Sequence, residues 1–207
     1  MDLGHPLSSV AGTLDARVIE TLAGTSQSLS GRDVARLSGR SANGIWKSLR
    51  RLCDEGIVLA DARRGVTLYT ANREHLVWPA VEELTRLRGT LTERIAEEAR
   101  EWPIRPLLVS LFGSTARGDA GRESDVDLLV LRPSELDSAQ FESWEDQLSV
   151  LRDHIRRWTG NNAQTFQIDL QRLSEHVRAN DPIVASWLRD EIRLVGPGIR
   201  HYVEAVG

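Results

Sequence analysis

Two short apolar runs, at 107–112 and 126–131, constrain the fold of this 207-residue chain more than anything else in it. Each is too short for a helix and is bounded by turn residues, so each reads as a buried strand. Gly113 and Ser114 end the first run in a tight turn, and residues 116–120 have the composition to begin a helix. Asp125 and Asp127 stand at the start of the second run. Side chains two residues apart on a strand point to one face, so these carboxylates share a side. Like charges that close repel and raise each other's pKa. A divalent cation relieves the conflict, and hard oxygen ligands next to substrate phosphates specify Mg2+ or Mn2+. A glycine lets backbone N–H groups approach a phosphate, and Ser114 adds a hydroxyl donor. The expectation is a phosphate cradle beside a metal-binding pair.

The net charge of −4 conceals an asymmetry. Residues 1–73 carry 10 Lys/Arg against 7 Asp/Glu, while residues 74–207 carry 16 against 23. The basic part suits a phosphate backbone and the acidic part a metal site, which points to two jobs. The single cysteine, Cys53, excludes an intramolecular disulfide and a multi-cysteine zinc site; it suits a buried thiol in a reducing cytoplasm. No apolar run has the roughly 18 residues of a membrane span, and no basic segment followed by an apolar one suggests a signal peptide. The five histidines are scattered, and the six tryptophans read as packing anchors, with Trp46 turned to a domain core.

In the basic part, Leu14, Val18, Ile19 and Leu22 space as one helix face. Ser30 caps a helix over 31–38 with Val34 and Leu37 inward. Ser41 begins another helix, whose buried stripe is Ile45, Leu49 and Leu52 and which Gly56 stops. A hairpin follows over 57–69. Helix, turn, helix and hairpin, in SGRDVARLSGRSANGIWKSLRRLCDEGIVLADARRGVTLYTAN, resemble the DNA-binding domains of bacterial winged-helix repressors. The resemblance implies that double-stranded DNA is a partner. The recognition helix would offer Arg40, Ser41, Asn43, Lys47, Arg50 and Arg51, and the wing tip Arg63 and Arg64. Winged-helix readers commonly pair on two half-sites, so a homodimer is the expectation. Over 74–101, Leu84, Leu87, Leu91 and Ile95 form an apolar line that predicts one connecting helix, ended by EWPIRP at 101–106.

In the acidic part, Gly113-Ser114, ten residues and then Asp125-Val-Asp127, within FGSTARGDAGRESDVDLLV, resemble the minimal branch of the polymerase-beta-like nucleotidyltransferases. LRDEIRLVGPG at 188–198 is similar to the end of such a domain. The resemblance implies transfer of a nucleoside monophosphate from an NTP, ATP by expectation, to a hydroxyl acceptor by a two-metal mechanism. Asp125 and Asp127 would hold the metals, and a third carboxylate, Asp169 in QTFQIDLQRL, would complete the site and help deprotonate the acceptor. Gly113 and Ser114 would hold terminal phosphates, with Arg117, and more loosely Arg122, neutralising them. Acceptors in this superfamily include aminoglycosides, RNA ends and HEPN-type toxin proteins; the absence of an obvious extra helical domain favours a protein. A regulator that senses nucleotide without turnover is the alternative.

The expected fold class is therefore α+β: an N-terminal winged helix over 1–73, a connecting helix over 74–103, and a nucleotidyltransferase fold over 104–207. In the last, helices flank a mixed β-sheet.

Overall fold

The computed structural model describes all residues, 1–207. The chain divides into two compact units, residues 4–87 with Asp2, and residues 88–207 with Met1 and Leu3.

In the first unit a 3-10 turn, Pro6–Ser9, leads into α1 (Thr13–Ala23), β1 (Leu29–Ser30), α2 (Gly31–Ser38) and α3 (Ala42–Asp54). Next come β2 (Val58–Arg63), β3 (Val66–Ala71) and α4 (Trp78–Thr85). The three strands form an antiparallel sheet in the order β1-β3-β2. α2 starts where the Ser30 hydroxyl accepts the Asp33 amide at 3.2 Å, and stops at Gly39 in the left-handed region. Ile45, Leu49 and Leu52 are fully buried, in one core with Val18, Leu22 and Val34. Three inward expectations fail. Leu37 is 54% exposed, Leu14 37% and Trp46 43%, because each sits at the edge of its helix's apolar stripe.

The single helix expected over 74–101 is two. After α4 the Arg86 amide is shared between the Glu82 and Glu83 carbonyls, a tightened last turn, and α5 (Leu87–Arg100) begins. The physical reason is that the apolar line serves two cores. Leu84 packs on the core of the first unit, and Leu91 and Ile95 are buried in that of the second.

The second unit continues with β4 (Leu108–Phe112), α6 (Gly113–Arg117), β5 (Val126–Leu131), α7 (Ser138–Thr159) and β6 (Ala163–Ile168). It closes with α8 (Leu170–Arg178), α9 (Pro182–Asp190), β7 (Ile192–Val195) and α10 (Ile199–Val206). The sheet order is β6-β5-β4-β7; β4 is antiparallel to β5 and β7, and β5 is parallel to β6. β5 is buried on both faces, which is why it reads as a continuous apolar run. Leu128 and Val130 pack with Trp144, Leu148 and Leu151 of α7 and with Ile95 of α5. Leu129 and Leu131 pack with Leu173 of α8, Trp187 of α9 and Ile199 of α10. No helix is long and apolar enough to cross a membrane.

Candidate active site

The site lies where β4 and β5 meet at one end of their antiparallel pair. Phe112 is in register with Asp127, so the turn after Phe112 brings Gly113 beside that carboxylate. Gly113 has φ 71°, a conformation that favours glycine, and a Cβ built on it would lie 2.5 Å from Asp127 Oδ2. The backbone thus approaches the carboxylate as closely as the missing side chain permits. α6 starts directly at Gly113 and carries Ser114, three residues earlier than the helix expected over 116–120. Thr115, fully buried, donates its hydroxyl to the Asp125 carbonyl at 3.2 Å and so ties α6 to the entrance of β5.

The loop before β5 is held from behind by Asn161, which is buried. Its Nδ2 donates to the carbonyls of Ser124 at 2.8 Å and Arg122 at 3.3 Å, and its Oδ1 accepts the Met1 ammonium at 2.7 Å. Asp125 and Asp127 are consequently presented from a fixed backbone. Burial, and then the Asp125 charge, push the Asp127 carboxyl above its ordinary pKa, and the Arg117 guanidinium opposes the shift.

Asp169 is not brought to this pair. The parallel register sets Gln164, not Asp169, opposite Asp127. Asp169 lies five residues farther along, about 17 Å at strand rise. There it caps α8 by accepting the Arg172 amide at 2.9 Å, and pairs with Arg132 at 2.5 Å. Those two roles account for its carboxylate. Nowhere in the chain do three His, Cys, Asp or Glu side chains gather as a metal cluster would. Gln164 Nε2 instead donates to Asp125 Oδ2 at 3.3 Å.

Arg117 is not a free phosphate clamp. Its Nη1 donates to Asp190 Oδ2 at 2.7 Å and its Nε to Asp119 Oδ2 at 3.2 Å. Asp190 also accepts from Arg189 Nε at 2.8 Å, and its side chain is only 2% exposed. These guanidinium contacts, Arg189's first, hold the Asp190 carboxyl down to about 2. Its folded pKa is depressed, so the contact is intact above the ordinary carboxylate range and is lost only as pH falls from about 4 toward 2. Asp190 was missed in the sequence because an acid beside an arginine at a helix end looks like a solvated pair. Asp190→Asn should release Arg117 and raise the nucleotide KM on the order of tenfold with a smaller change in kcat. An unchanged KM at pH 7 would remove Asp190 from the site. Arg122 is exposed in the loop before β5.

In the first unit, Arg40, Ser41, Asn43, Lys47 and Arg50 are all exposed, the last three along one face of α3. Arg40, Lys47, Arg50 and, at the hairpin tip, Arg64 carry no ion pair. Arg51 does: it donates to Asp15 and Glu55 at 2.6 Å each, so it is neutralised within the unit. Arg63 pairs with Asp61 at 2.8 Å. Trp46 covers Gly31, where a Cβ would fall 2.6 Å from its ring, and meets Tyr69 edge-on. With Arg32, Arg63 and Val66 it lines an open cleft of about 670 Å3 between α3 and the hairpin. The signal for Trp46 was available: one residue past Ile45 is a 100° step, which takes it off the buried stripe.

A family model described as a nucleotidyltransferase domain matches residues 92–179, which include Gly113, Ser114, Asp125 and Asp127. Among solved structures, a toxin–antitoxin with AMP-PNP is 21% identical over 56% of this chain and 82% of its own, with a TM-score of 0.37. A mutant of the toxin–antitoxin MntA–HpeT is 17% identical over the same shares, with a TM-score of 0.36. Human N-acetylserotonin methyltransferase with SAM is 21% identical over 47% of this chain and 32% of its own, at 0.29. No curated protein matches.

Proposed function

We propose that this chain is a metal-dependent nucleotidyltransferase that moves a nucleoside monophosphate from an NTP, ATP by preference, to a hydroxyl acceptor, and that it also binds DNA. The observation that carries the reading is the convergence of Gly113, Ser114, Asp125 and Asp127 at the end of the β4–β5 pair, within the matched domain.

Asp125 and Asp127 suit a divalent cation, Mg2+ or Mn2+. They are hard oxygen donors on one strand face, and burial followed by the Asp125 charge raises the Asp127 pKa. Asp125 and Asp127 would hold such an ion, which would supply neutralisation of phosphate charge for an in-line displacement at the α-phosphorus with pyrophosphate leaving. Gly113 and Ser114 receive the phosphate tail. Arg117 stands on the same side, fixed by Asp190 and Asp119, which take up most of its charge in the absence of nucleotide. The resemblance to minimal nucleotidyltransferases supports a protein acceptor, a HEPN-like toxin in particular.

The first unit is read as a winged helix, with α3 as the recognition helix and the β2–β3 hairpin as the wing. Unpaired Lys47, Arg50 and Arg64, together with Arg40, Ser41 and Asn43, support docking on double-stranded DNA; a homodimer on two half-sites and a cytoplasmic location belong to the same reading. A regulator that holds nucleotide without turnover is the second reading, and the observation that speaks for it is the position of Asp169 away from the carboxylate pair.

Labelled ATP with Mg2+ and a lysate of the source organism separates the two. Transfer by the wild type and not by Asp125→Ala/Asp127→Ala supports the enzyme; equal transfer, or none by either, overturns it. For DNA, Lys47→Ala/Arg50→Ala should lessen the slope of log K against log salt by about 1.8, at about 0.9 per phosphate contact. An unchanged slope would reject α3 as the docking helix.

A further inference from the structure

The carboxylate pair has a neutral neighbour where its third acid was expected, and this bears on how many cations the site can take. The inference rests on the nucleotidyltransferase reading above. Gln164 is in register with Asp127 across the parallel β5–β6 pair, so the two side chains stand on one face of the sheet. The Gln164 amide reaches Asp125 at 3.3 Å, on the β6 side of the pair. Other acids are committed elsewhere. Asp119 and Asp190 are held by Arg117, and Asp169 by Arg132 and the α8 amide at the far end of β6.

We propose that the site takes one divalent cation, on Asp125 and Asp127, and that Gln164 fills the position from which an acid would hold a second. The charge balance agrees. Two carboxylates neutralise one divalent ion. A second would stand beside an amide that brings at most a carbonyl oxygen and no charge. Hard cations of this kind recruit carboxylates for that reason. The substitution of amide for acid changes little in shape, so the position remains geometrically fit for a ligand and lacks only its charge. Gln164 is an exposed position of β6, so it can be exchanged without repacking.

The test counts Mn2+ by electron paramagnetic resonance on the full chain, saturated with an ATP analogue whose α–β bridge is a methylene. The wild type should bind one Mn2+ per ternary complex. Gln164→Glu, and independently Gln164→Asp, should double this to two. Two ions in the wild type, or one in both variants, would overturn the proposal while leaving the nucleotidyltransferase reading in place. No ion in the wild type would overturn both. Asp125→Asn/Asp127→Asn should bind none, and retention of an ion there would also place the cation elsewhere and overturn the proposal.

Discussion

Asp125→Asn and Asp127→Asn should each abolish nucleotidyl transfer, and Asp127→Asn should at the same time melt higher than the wild type in cation-free buffer. The loss of activity should be large because, in the function proposed above, each carboxylate would be a charged ligand to the cation that stabilises the transition state. Such stabilisation is worth several kcal/mol, or on the order of 10^3-fold at about 1.4 kcal/mol per decade. The gain in stability follows from the direction of the Asp127 shift. Its folded pKa lies above the unfolded value because burial and the Asp125 charge disfavour ionisation. Below the unfolded pKa both states are protonated and there is no cost. The cost develops as pH rises through and above that value, and is fully present at pH 7. Two acids two residues apart on a strand lie about 7 Å apart, which is worth about 0.6 kcal/mol in water and about 2.4 at an effective dielectric of 20. The pair is partly exposed, so the lower end applies, a rise of about 2–4 °C per kcal/mol in a chain of this size. Mg2+ should then raise the melting temperature of the wild type more than that of the variant. Asp169→Asn, the same change at the far end of the sheet, should transfer normally. Calorimetry in EDTA and in Mg2+, with label transfer beside it, checks all of this. A wild type that melts no lower than Asp127→Asn in EDTA would contradict the charge argument.

What could be read from the residues and what could not divides along a physical line. The strands at 107–112 and 126–131 were legible because burial on both faces leaves only apolar side chains there. The closeness of Asp125 and Asp127 was legible because it depends on strand parity alone. Asp169 was misjudged for the complementary reason: alternation tells which face a residue takes and nothing about its level along the neighbouring strand. That level depends on register, here set after the 22 residues of α7, and it put Gln164 at the height of Asp127. Arg117 had its charge in plain view, but its partner Asp190 is 73 residues away, beyond the reach of any local pattern. On α3 the buried stripe of Ile45, Leu49 and Leu52 is legible from its spacing, whereas the place of Trp46 follows from helical angle and not from its residue type. The break between α4 and α5 was hidden because the apolar line runs on through it while the core it serves changes.

Gly113→Ala should be the most damaging small substitution at the carboxylate pair, and its two effects can be separated. The first is conformational. An L-residue held at φ 71° costs about 1–2 kcal/mol, or about 2–8 °C in melting temperature for a chain of this length. The second is steric and specific: the new methyl would fall 2.5 Å from Asp127 Oδ2 and 3.4 Å from its Cγ. An oxygen cannot remain there, so the carboxylate must rotate out of the position proposed above for holding the cation. Activity should therefore fall about as far as in Asp127→Asn, although both acids are still present. A double-mutant cycle distinguishes strain from collision. In an Asp127→Ala background the oxygen is gone, so Gly113→Ala should retain only the backbone term and cost visibly less stability than it does in the wild type. Equal costs in the two backgrounds would mean that the methyl and the carboxylate do not compete for space, and the close approach of Gly113 to Asp127 would lose its role in shaping the site.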